Sequence, residues 1–163
     1  MATESLPDLH LWCCFGSSPL RQGVEQVIHY DARLRERVHL IGKVEHTHIQ
    51  RLMHAADLFV SASHREGSGF ALIEALACGL PPVVTDIPSF RALTGDGAIG
   101  HLWPTGDAHQ FSRALQNASR TISPTQRQSV RAHFDRHLSL PALGRTLSQV
   151  YRQLAEQPAW RAT

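Results

Sequence analysis

Lysine is almost missing from this chain. Lys43 stands alone against fifteen arginines, and the formal net charge at pH 7 is only +2. The charges are spread along the sequence, whereas phosphate-backbone binders cluster theirs, so nucleic acid is not an expected partner. The one arginine-rich stretch, "RQSVRAHFDRHL" from Arg127 to Leu138, reads as a solvated helix face. Long apolar runs are missing as well, and nothing in the sequence reads as a bilayer span. The opening "MATESLPDLHL" lacks a basic region ahead of an apolar stretch, so it does not read as a signal peptide, and a cytoplasmic location is the expectation. Cysteine is scarce. Cys13 and Cys14 are neighbours in a strand-like run and face opposite ways, a poor arrangement for one metal or a disulfide. With Cys78 they are expected to be reduced, small and buried. Linkers, repeats and low-complexity tracts are absent too.

What is there fits a single domain. The 163 residues, 42% hydrophobic and 18% charged, suffice for one proper core, and residues 1–163 are read as one unit. The eleven histidines include "HTH" at His46 and His48, with His54 six residues on. They lack the spacing of a two-histidine helix site and have no cysteine or carboxylate at zinc-like intervals. Surface or capping roles are expected, and no metal.

Short apolar runs alternate with helical patterns. The runs are Leu9 to Phe15, Val38 to Ile41, Asp57 to Ala62, Pro82 to Thr85 and, more weakly, Ala98 to Trp103. Between them Leu20 to Leu34, Thr47 to Ala55, Phe70 to Cys78 and Ser89 to Leu93 place apolar residues three and four apart. That alternation predicts an α/β fold, a Rossmann-like parallel sheet with flanking helices. The C-terminal third is helical, with Asp107 as the N-cap of a helix from Ala108 to about Ser119, Pro124 in the first turn of the next, and a last helix from Pro141. The final "PAWRAT" is expected to fray.

Ligands of open parallel sheets bind beyond the carboxyl ends of the strands. Among those loops "SHREGSG" is the most informative, because it leads into the helix "FALIEALAC", closed by Gly79 as a left-handed C-cap. First-turn N–H groups lack partners inside a helix, and the helix dipole favours an anion there. A phosphate or pyrophosphate suits that place, with Gly67 and Gly69 allowing close approach and Ser68 donating a further hydrogen bond. Glu66 and Glu74 beside a phosphate would be repulsive unless they accept from hydroxyl groups, and one carboxylate can accept from both hydroxyls of a diol. A nucleotide sugar has such diols on either side of its diphosphate. Position alone equally allows Glu66 to be a loop charge and Glu74 an early-helix residue.

"EGSGFALIE", Glu66 to Glu74, resembles the Glu, seven residues, Glu motif of the retaining glycosyltransferases of the GT-B fold, family 4 type. The flanks "ADLFVSASHREGSGFALIEALACGLPPVVTD", "RVHLIGKV" and "GHLWPTGD" are similar to that family's segments in the same order, over roughly Leu9 to Asn117. The resemblance implies that Glu66 contacts hydroxyls of the donor sugar and helps place its anomeric carbon, acting by position and charge. It implies that Gly67, Ser68, Gly69, Phe70 and Ala71 contact sugar and diphosphate, and that Glu74 holds the ribose hydroxyls. Lys43 and Val44 would lie against the base, and Gly16, in "GSSPLR", near the diphosphate. The implied reaction transfers a glycosyl group from a nucleoside diphosphate sugar to an acceptor hydroxyl with retention, with no further cofactor and no metal.

Full enzymes of that family have two Rossmann-like domains, and this chain resembles only the C-terminal, donor-binding one, starting at its second strand. In a 3-2-1-4-5-6 sheet the first strand is central, so the strands at Leu9 and Asp57 are expected either to expose unpaired edges or to pair directly. The chain is therefore read as a truncation, a separately expressed domain or one subunit of a split enzyme; in the last case a chain carrying the acceptor domain is the protein partner, and any membrane contact is expected only through that missing domain. Alone, the chain is expected to be inactive. Two other readings are a non-catalytic binding or assembly subunit, and an NAD-type domain with Asp86 as the ribose-binding acid. Against the last, Leu72 occupies the third glycine position of the dinucleotide fingerprint.

Overall fold

The structure is a computed structural model, and it describes residues 5–156. The expectation for the final six residues, 158–163, lies outside them. In chain order the elements are β1 (Leu11–Cys14), α1 (Arg21–Tyr30), α2 (Ala32–Arg35), β2 (Val38–Gly42), α3 (His46–Ala55), β3 (Phe59–Ser61), α4 (Phe70–Ala77), β4 (Pro82–Thr85), α5 (Pro88–Thr94), β5 (His101–Trp103), α6 (Ala108–Thr121), α7 (Pro124–His137) and α8 (Leu140–Glu156). Every expected strand and helix is present, and every strand pair is parallel. The long pattern from Leu20 to Leu34 is cut in two at Asp31, whose carboxylate accepts from the Arg33 N–H and starts a new turn.

The strands form two sheets. One has the order β1-β2 and the other β3-β4-β5. β1 and β3 do not pair, so of the two outcomes open at the sequence level the structure takes the one in which, among the described residues, each keeps an unpaired edge. β4 is the middle strand of its sheet and buried at all four residues. The continuous run Pro82-Val83-Val84-Thr85 suits a strand covered on both faces, and Pro82 is tolerated as its first residue.

Successive side chains of β4 point to opposite faces, and each face builds a core. Val84 joins Leu72, Leu76, Ile87, Phe90 and Val130. Val83 joins Trp103, Ala114, Leu115 and Ala118 of β5 and α6, with Leu6, Leu9, Leu58 and Val60 packed against them. Among the described residues, every buried hydrophobic side chain of this core lies between Leu72 and Ala142. Neither α1 nor α3 buries a single residue.

The cysteines depart from expectation. All three are free, but Cys14 is exposed and Cys13 and Cys78 only half-buried. For Cys13 and Cys14 the cause is the two-stranded sheet. With one neighbour and no cover on its other edge, β1 cannot bury its residues. Partial burial still pushes both strand thiols up, Cys13 further through the neighbouring Cys14.

The basic helix α7 is also more than a solvated face. Arg127 donates to the Ala56 carbonyl at 2.7 Å and Arg131 to the Ala77 carbonyl at 3.0 Å, so each satisfies an orphan acceptor at the end of another helix. The expected caps hold. Asp107 accepts from the Gln110 N–H at 2.9 Å, and Pro124 opens α7 behind a Ser123 cap.

Candidate functional site

The loop from β3 to α4 is held from below. The Thr85 hydroxyl at the end of β4 donates to the Ser63 carbonyl at 2.5 Å, and the Ser63 hydroxyl donates to a Glu66 carboxylate oxygen at 2.7 Å. The Ser61 and Ser63 hydroxyls lie 3.2 Å apart. Glu66 is exposed, yet its carboxylate is tied through Ser63 to the buried strand β4. Nothing at the sequence level singled out Ser61, Ser63 or Thr85. For Ser63 alone a local signal was there, since serine is a common turn former in a loop after a strand.

Gly69 is the N-cap of α4, with φ +63°, and it is buried. A Cβ placed there would stand 2.8 Å from a Leu93 methyl and 3.3 Å from the Phe90 ring. Glycine is required twice over, by its left-handed conformation and by α5 beneath it. No side chain caps α4, so its first N–H groups are open to a ligand from outside. Gly67 and Ser68 are exposed beside it, and Phe70 is 70% exposed at the first helical position. Gly79 closes the helix at φ +67°, the expected left-handed stop.

Glu74 lies one turn further along, its carboxylate 3.9 Å from the imidazole Nδ1 of His46. His46 begins α3, and the residues just ahead of it include Lys43 and Val44. The glycine turn at Gly42 that carries Lys43 accepts, through its carbonyl, the Phe15 N–H at 3.0 Å. The loops after β1 and β2 are thereby joined, with Gly16 next to Phe15. The structure thus makes two groups of the expected residues, Glu66 to Glu74 around α4 and Gly16, Lys43 and Val44 around the β1 and β2 loops. The His46–Glu74 pair bridges them. An apolar hollow of about 510 Å³ between α1 and β2, lined by Leu20, Val24, Val27, Ile28, Leu34 and Val38, includes none of these residues. Polar loops that converge at strand ends are the better guide to chemistry than an apolar groove without such groups.

Asp86 is occupied elsewhere. Arg91 donates to one of its carboxylate oxygens at 2.6 Å and also pairs with the other. Leu72, at the third position of the fingerprint, is buried in the core. A ribose-binding acid clamped by arginine and a helix start filled by leucine both count against a dinucleotide site. The histidines His46, His48 and His54 are exposed, and among the described residues no group of three or more candidate ligands gathers to hold a metal.

The family model for glycosyl transferases group 1 matches residues 12–129. The chain belongs to this family. Among its relatives, the phosphatidyl-myo-inositol mannosyltransferase of Mycobacterium leprae (strain TN) is 34% identical over 92 residues, covering 56% of this chain and 25% of the relative. Among solved glycosyltransferase structures, sucrose-phosphate synthase from Thermosynechococcus elongatus superposes with a TM-score of 0.77 at 25% identity, over 94% of this chain and 40% of that one. The pneumococcal O-GlcNAc transferase GtfA, solved with UDP and GlcNAc, shares the fold with a TM-score of 0.71 at 22% identity, over 94% of this chain and 31% of that one. The chain therefore spans between a quarter and two-fifths of the length of these glycosyltransferases.

Proposed function

We propose that this domain binds the nucleoside diphosphate sugar of a retaining glycosyl transfer. The observation that carries the reading is the start of α4. An uncapped helix N-terminus stands behind a buried left-handed glycine, with Glu66 fixed by Ser63 on one side and Glu74 on the other. The diphosphate would take the open N–H groups of Gly69, Phe70 and Ala71 with the Ser68 hydroxyl, Gly67 and Gly16 leaving it room. Glu66 would accept from the sugar hydroxyls and Glu74 from those of the ribose, with the base against Lys43 and Val44. Charge developing on the leaving diphosphate would be stabilised by preorganised N–H dipoles, so metal is not required. The UDP-bound relative supports a nucleotide as the ligand.

The same reading takes residues 1–163 as one donor-binding unit that needs an acceptor-binding half for transfer. The purified chain is expected to bind UDP or GDP saturably in calorimetric titration and to turn over no nucleotide sugar. Glu74→Ala is expected to weaken the nucleoside diphosphate on the order of tenfold by removing a charged acceptor, while NAD gives no thermal protection to either form. Equal affinity of intact and substituted chain would remove the ribose assignment, and turnover by the 163-residue chain would remove the need for an acceptor-binding half.

A further inference from the structure

Glu74 has a neighbour that its proposed role does not use. The glutamate sits in the second turn of α4, and His46 is the first residue of α3, directly after the loop that carries Lys43 and Val44. The imidazole Nδ1 stands 3.9 Å from a Glu74 carboxylate oxygen, too far for a hydrogen bond and within reach of an ion pair. The His46 side chain is 75% exposed and that of Glu74 43%, so both can meet a ligand. A neutral imidazole at this distance does little to the carboxylate. A charged one attracts it, and histidine is the side chain that ordinarily changes charge near neutral pH.

The other charged groups nearby are few. Lys43 and Glu45 precede His46 in the chain, Glu45 making no side-chain cap hydrogen bond, and His48 is exposed in the same first turn. On the α4 side lies Cys78, one turn beyond Glu74. Burial pushes its thiol up, and Arg127, Glu74 and Arg131 also act on it. Both arginines are spent on backbone carbonyls, so Glu74 is the group of another element that faces His46. A first-turn imidazolium meets the positive end of the α3 dipole, and a nearby carboxylate offsets that. The ligand gains as well. Glu74 repels a diphosphate, an imidazolium beside it screens that repulsion, and a carboxylate that accepts from an imidazolium still has acceptor sites for ribose hydroxyls. We infer that His46 is a positioning residue of the nucleotide site, acting through Glu74 so that the anionic donor binds more tightly when the imidazole is protonated. The inference rests on the proposed reading of the α4 site and adds a residue and a pH dependence to it.

The probes are UDP-glucose and GDP-mannose, titrated calorimetrically into the 163-residue chain at a series of pH values. Both phosphates of these probes are doubly substituted and keep their charge across the series, whereas the terminal phosphate of UDP or GDP titrates within it. The affinity of the probe that binds is expected to rise about fivefold as pH falls from about 8 to about 6. His46→Ala flattens the profile at the high-pH affinity, and His46→Lys holds the low-pH affinity throughout. Glu74→Ala, already weaker, shows no slope either. The His46 variants keep the thermal midpoint of the intact chain at the high end of the series, because the side chain is exposed. Binding without pH dependence, or a slope that survives His46→Ala, overturns the inference and leaves the nucleotide site standing. A slope that survives Glu74→Ala shows the imidazole acting on the ligand directly and overturns the positioning role. Affinity that falls on acidification shows His46 competing for Glu74 and overturns it too. If neither probe binds at any pH, the nucleotide site itself is removed, and this inference with it.

Discussion

At the scale of single residues, Gly69 and Ser63 carry more than their size. The glycine sits where a ligand loop meets the core, so one methyl group tests both. Gly69→Ala places a Cβ in a left-handed conformation that costs roughly 1–2 kcal/mol before any clash, and the Leu93 and Phe90 side chains must give way besides. A lower thermal midpoint is expected, together with loss of nucleoside diphosphate affinity in titration. A midpoint equal to that of the unsubstituted chain would show that α5 is not packed under the loop. Ser63 works differently. It holds Glu66 through one hydroxyl hydrogen bond, so the glutamate is restrained without being buried.

At the scale of elements, strand and helix periods were legible because each segment has one dominant pattern. β4 and α7 run over the residues that their apolar run and their first-turn proline mark. The break at Asp31 was hidden, because the apolar spacing of Val24, Val27, Ile28 and Leu34 continues across it while a local side-chain bond decides the turn. The site was legible as a motif, Glu66 to Glu74, but its underpinning was not. The Thr85 to Ser63 bond joins residues 22 apart in sequence, and no local pattern encodes that. The arginines of α7 misled for the same reason, since their partners are the ends of α3 and α4. Arg127→Ala is expected to free the Ala56 carbonyl and speed amide exchange at the end of α3 with little change in the β4 core. Unchanged exchange there would mean that the arginine does not hold α3.

For the molecule as a whole, two histidines set a slope against pH. Burial lowers the proton affinity of His101 in β5. Burial does the same to His133 in α7, outweighing its hydrogen bond to the Leu93 carbonyl, and His137 and Arg136 add to the effect. With folded values below the unfolded one of about 6.5, the unfolded chain binds more protons in that window. Their contribution is therefore complete above the unfolded value and is lost as pH falls through the folded ones. The thermal midpoint is expected to drop as pH falls from neutral to about 5, and His133→Gln to flatten the drop. A midpoint that rises on acidification would contradict the burial.

The lopsided core also bears on what random mutation can erase. Substitutions at exposed positions cost little stability, and those in a packed core cost a great deal. From β1 to α3 a drifting gene meets almost no buried hydrophobic side chain, whereas from α4 to α7 it meets one repeatedly. Selection for a folded chain alone would therefore let the first stretch wander while keeping the second recognisable, so the ancestry of this protein is written most durably in the half that surrounds β4.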